Sequence, residues 1–64
     1  MRQVRLDTVR RGEFFKRTAT SYKVYIRGDY TGVYHNRYSC IDTEDANREI
    51  FLKGNHMVFV GFTY

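Results

Sequence analysis

The 64-residue chain contains no proline, has a single cysteine and no run of 18 apolar residues. Each absence excludes something. With Cys40 alone, no disulfide can form within the chain, and no Cys/His set approaches the spacing of a zinc site. No helix of membrane-spanning length is encoded, and no charged, apolar, small-residue leader opens the sequence, so the expectation is a soluble protein of the cytoplasm. No internal repeat, linker or low-complexity stretch divides the chain, and residues 1–64 read as one domain. At this length a core only just outweighs chain entropy, because so small a domain buries about 60% of its unfolded surface. Eleven Tyr and Phe compensate in part by burying large areas per residue. Self-association is the remaining common device, and a homo-oligomer is expected.

The charge of +4 is unevenly placed. Residues 1–23 carry seven cations against two acids, and residues 24–64 carry four against five. The basic third, with Arg5, Arg10, Arg11, Lys16 and Arg17, favours a polyanionic partner or is a solvated surface.

The most apolar stretch, Met57 to Tyr64, is β-branched and aromatic and too short for a buried helix. A strand apolar on both faces is expected there, with Val58, Val60, Phe62 and Tyr64 on one face and Met57, Phe59 and Thr63 on the other. Val4, Leu6 and Val9, the Gly12 turn and Phe14-Phe15 suggest two short strands. From Tyr22 the residues alternate, placing Tyr22, Val24 and Ile26 on one face and Lys23, Tyr25 and Arg27 on the other. Turn residues at Gly28-Asp29, Gly32 and His35-Asn36 precede a strand from Arg37 to Ile41, so residues 22–41 predict an antiparallel hairpin with a long irregular tip. Asp42 to Asn47 carries capping residues and predicts one helical turn. Residues 43–53 read either as a full helix or, by preference, as that turn and a strand at Glu49–Leu52, hairpinned through 53–56 onto the final strand. The fold class is mainly β, a small five-stranded antiparallel barrel with one short helical turn.

Nucleophilic or acid–base chemistry would have to come from Ser39, Cys40, His35, His56, Asp42 and Glu44. Cys40 shares a face with Tyr38 and reads as a buried small hydrophobe. Both histidines fall in turns and lack a third metal ligand. The Asp42–Asp45 acids lack the spacing and glycine of a calcium loop. No glycine-rich phosphate loop is present. Arg27-Gly28-Asp29 matches the integrin-recognition tripeptide, which carries nothing without a secretory leader; Gly28 fits a bulge better. No catalytic residue, metal or cofactor is expected. What remains is Lys23, Tyr25, Arg27, Tyr30, Tyr34 and Arg37 around the central hairpin, a combination that binds protein partners or single-stranded nucleic acid.

Arg27-Gly28-Asp29-Tyr30, Tyr38-Ser39-Cys40, Asn47 to Gly54 and Val58-Phe59-Val60-Gly61-Phe62, with Val9 to Phe15, resemble a group of small uncharacterised bacteriophage proteins. The resemblance spans nearly the whole chain and implies a phage accessory protein acting in the host cytoplasm. The layout is also similar to a Src-homology-3-like small barrel, an analogy of architecture alone. The expected function is non-catalytic binding of a host or phage protein, with a nucleic-acid-binding barrel as the alternative and a minimal enzyme third.

Overall fold

The computed structural model describes residues 1–32 and 36–63. Six short strands follow one another: β1 (Arg2–Arg5), β2 (Phe14–Phe15), β3 (Tyr25–Thr31), β4 (Arg37–Asp42), β5 (Glu49–Lys53) and β6 (Met57–Val60). They form two antiparallel sheets, one ordered β1-β6 and the other β2-β3-β4-β5. A single bridge joins them, in which Lys16 and Phe59 exchange both backbone hydrogen bonds at 2.9 and 2.8 Å.

The core lies between the sheets. Leu6, Val9, Phe15, Tyr25, Cys40, Leu52 and Val58 form one buried cluster, with Val4, Tyr38, Ile50 and Val60 packed on its edge. On β4, Tyr38, Cys40 and Asp42 share the core face. Their register partners lie on that face too: Tyr30, Arg27 and Tyr25 on β3, and Leu52 and Ile50 on β5.

The expected hairpin over 22–41 is present as β3 and β4, and its register slips between Arg27 and Tyr30. The slip is a bulge at Gly28, as the sequence suggested. A Cβ there would meet the Ser39 carbonyl oxygen at 2.9 Å, so only glycine lets the two backbones approach so closely. The stretch 33–35 and Tyr64 lie outside the described residues, and with them the expected places of Tyr34, His35 and the last residue of the final strand.

Other expectations are corrected. Among the described residues there are six strands rather than five, and no closed barrel, because no ladder joins β5 to β1. The alternation puts Tyr22 on one face with Val24 and Tyr25 on the other, in the expected binding surface, yet Tyr22 is 97% exposed and Tyr25 is 7% exposed. The period of two holds only within a strand, and β3 begins at Tyr25. Before it, Ser21 Oγ accepts the Lys23 N–H at 3.1 Å and donates to the Lys23 carbonyl at 3.3 Å, turning the chain so that Val24 and Tyr25 both face the core.

The helical turn expected over 42–47 is instead the β4–β5 loop, built from aspartate side chains that accept backbone N–H groups two residues on. Asp42 Oδ1 takes Glu44 N–H at 2.9 Å and Asp45 Oδ1 takes Asn47 N–H at 3.1 Å. The same residue types that cap helices also make such turns, and here the turns win. A 3-10 turn forms instead at Leu6–Thr8.

Glu49–Lys53 is a strand, but it does not hairpin onto the last one. The turn at 53–56, closed by His56 N–H to the Lys53 carbonyl at 3.0 Å, is tied to the end of β1. Leu6 N–H donates to the His56 carbonyl at 2.9 Å and Asp7 N–H to the Gly54 carbonyl at 3.0 Å. The turn thereby sends β6 along β1. The final strand stops at Val60, because Gly61 has φ +79°, a left-handed conformation that ends the ladder.

Candidate binding site

The two strands of the central hairpin bring three of their residues into one stack. The Arg27 guanidinium lies 4.3 Å from the Tyr38 ring centroid, and the Tyr30 ring meets Tyr38 edge-on at 4.9 Å and 61°. The register places Tyr30 opposite Tyr38, while Arg27 sits opposite Cys40, one step further along. Beneath Tyr38 the chain passes as Gly54, where a Cβ would come within 3.1 Å of the ring. Tyr38 is thus wedged, Arg27 is half-buried, and Tyr30 is 51% exposed. A rigid aromatic with one face wet beside a guanidinium suits a contact surface.

The guanidiniums retain unused capacity. Among the described residues, the buried Nε of Arg27 and of Arg37 and the Thr31 hydroxyl have no hydrogen-bond partner. Thr31 faces Arg37 across the ladder.

The other members of the expected hairpin site do not join this stack. Tyr25 is a core residue, its ring 5.8 Å from Phe15 and 26° from parallel to it, and it cannot serve as an exposed contact. Lys23 sits near the far end of β4, where its Nζ lies 3.4 Å from the buried Asp42 carboxylate. Tyr34 lies outside the described residues. Tyr38 was read only as a core residue, and its place in the stack was missed. The signal was the antiparallel pairing of two tyrosines across the hairpin, hidden by the bulge that shifts their register.

The expected basic patch is dispersed. Arg5 pairs with Asp7 at 2.8 Å, and Arg11 pairs with Asp29 at 3.1 Å beside the Gly12 turn. Lys16 lies 4.8 Å over the Phe62 ring, and Arg17 lines a separate cavity with Lys23 and His56. Arg10 is exposed, and its backbone N–H is bound by the Glu13 carboxylate at 2.9 Å.

Of the residues considered for chemistry, Cys40, Ser39 and Asp42 are held in structural roles. Cys40 is fully buried, and burial pushes its thiol up to about 12 despite the opposing pull of Arg27 and Arg17. The reactive thiolate is thus suppressed. Ser39 donates to the Glu49 carboxylate. The Asp42 carboxyl is held below its ordinary value, first by the Glu44 N–H and then by Lys23. Glu44 is exposed and His56 sits in the turn before β6, while His35 lies outside the described residues. Among the described residues, no three His, Cys, Asp or Glu side chains gather as a metal site would require.

No family model, curated protein or solved structure matches the chain. The reading of the site therefore rests on its own geometry.

Proposed function

We propose that this chain is a non-catalytic, phage-encoded accessory protein that binds a host or phage protein through the Arg27–Tyr38–Tyr30 stack, working in the host cytoplasm. The observation that carries the reading is the half-exposed Tyr30 ring, braced by a wedged Tyr38 that Arg27 covers. Tyr and Arg dominate the small set of side chains that supply most binding energy at protein interfaces. A preorganised aromatic loses little rotamer entropy on binding, which favours affinity.

The test is recovery of partners from bacterial lysate on immobilised protein, with and without nuclease, using wild type, Tyr30→Ala and Arg27→Lys. Tyr30→Ala is expected to weaken recovery by on the order of 2 kcal/mol. Arg27→Lys should weaken it too, since an ammonium cannot reproduce a planar group stacked on a ring. Nuclease-insensitive capture that survives in neither variant supports the proposal. Capture abolished by nuclease would move the assignment to a nucleic-acid-binding protein, with Tyr30 stacking on bases.

A further inference from the structure

Among the described residues, open cavities of about 500, 450 and 420 Å³ are similar in volume, so size does not choose among them. Their chemistry does. The first mixes apolar side chains with Arg2, Thr8 and the carboxylate Glu13, and the second includes Asp29 and Glu49. The third is lined by Arg17, Thr18, Ser21, Lys23, Tyr25 and His56. Every one of these side chains carries a hydrogen-bond donor or can carry one, and none is a carboxylate.

The lining is also held in place. Tyr25 forms a buried wall, fixed by its stack on Phe15. Lys23 is steadied from outside the cavity by the Asp42 carboxylate at 3.4 Å. His56 is anchored through its backbone on both sides, to Lys53 and to Leu6. Thr18 accepts the Ser21 N–H at 3.2 Å, and the Ser21 hydroxyl is engaged with Lys23, so Ser21 shapes the rim rather than serving as a free donor. Arg17 makes no ion pair among the described residues.

We infer that this cavity binds a dianionic phosphate group, free or as a monoester, with Arg17 and Lys23 supplying charge and Thr18 and His56 supplying further donors. A tetrahedral oxyanion offers acceptors in several directions, which suits a lining drawn from three segments of chain, and charge-assisted bonds to it are the strongest of their kind. A guanidinium suits it especially, because its fork can bond two phosphate oxygens at once. The cavity shares no residue with the Arg27–Tyr38–Tyr30 stack, so the two proposals stand or fall separately.

The test is a two-dimensional NMR titration of the ¹⁵N-labelled chain near neutral pH, at constant ionic strength set with chloride. The probes are inorganic phosphate, glycerol phosphate and acetate. Inorganic phosphate is expected to move the amides of Arg17, Thr18, Lys23 and His56 saturably, with a dissociation constant on the order of 1 mM. Glycerol phosphate that matches or exceeds phosphate identifies a monoester site, while preference for inorganic phosphate identifies a site for the free ion. Acetate should leave these amides in place.

Arg17→Gln and Lys23→Gln should each weaken phosphate at least tenfold, and Arg48→Gln, on the β4–β5 loop, should not. Should a cavity variant fail to fold, the wild-type chain still decides. Phosphate must raise its thermal midpoint above that in chloride of equal ionic strength, as any ligand of the folded state does. Shifts that do not saturate, that spread equally to Arg2 and Arg48, or that acetate reproduces would overturn the inference.

Discussion

The Cys40 thiol and the Asp42 carboxyl lie on the same face of one strand and respond to pH in opposite senses. Burial keeps Cys40 neutral, so its folded value of about 12 stands above the ordinary 9.0. Its contribution to stability is complete below about 9 and is lost as pH rises toward about 12. For Asp42 the folded value lies below the ordinary 3.8, so its contribution is present above 3.8 and is lost as pH falls through the folded value. Urea unfolding across pH checks both: Cys40→Ala should flatten the alkaline limb relative to wild type, and Asp42→Asn the acid limb. Cys40→Ser is expected to lose about 1–3 kcal/mol, the range for a buried hydroxyl left poorly paired. In the wild-type folded chain the Cys40 thiol should react far more slowly with a thiol reagent than in the unfolded chain, and equal rates would refute burial. The burial of Cys40 was legible in sequence because it shares a strand face with Tyr38. The burial of Tyr25 was not, because a side-chain turn at Ser21, two residues ahead of Lys23, resets the alternation before the strand begins.

Two glycines in the elements around the stack separate clash from backbone strain. Gly28 has ordinary dihedrals but no room, since a Cβ would sit 2.9 Å from the Ser39 carbonyl oxygen. Gly12 has room, with nothing within 4 Å, but a φ of +87°. Gly28→Ala is expected to lose about 1–3 kcal/mol through overpacking. Gly12→Ala should lose roughly 1–2 kcal/mol through left-handed strain. Thermal melts should show both losses, but partner capture per folded molecule should fall only for Gly28→Ala, because that bulge sets where Arg27 and Tyr30 stand over Tyr38. A Gly28→Ala chain that melts and binds like wild type would show that the bulge does not position the stack. The hairpin, its bulge and the strand at Glu49–Lys53 could be read from alternation and turn residues. The partner of each outer strand could not. That choice is made by the backbone bonds from Leu6 and Asp7 to the 53–56 turn, which join residues distant in sequence and leave no mark in local pattern.

Considered whole, the chain has a radius of gyration of 10.8 Å, close to the roughly 10.7 Å expected of a folded domain of its length. Met57, Phe14 and Tyr30 are among the large apolar side chains left more than two-fifths exposed, surface that the homo-oligomer expected from the sequence would cover. Light scattering at roughly tens of micromolar is expected to exceed the 7.7 kDa of one chain, and a value at that mass would count against self-association. The pairing of β1 with β6 sets an order of events in time. Joining these strands closes a loop that contains nearly every other residue, whereas β3 ends at Thr31 and β4 begins at Arg37, closer in sequence than the long tip the turn residues suggest. The hairpin is therefore expected to form first and the terminal pair last. Truncating Val58, fully buried on β6, should mainly speed unfolding, while truncating Ile26 or Ile41, paired across the hairpin, should mainly slow folding. Stopped-flow kinetics on the three alanine variants would reveal the opposite pattern if the outer strands lead.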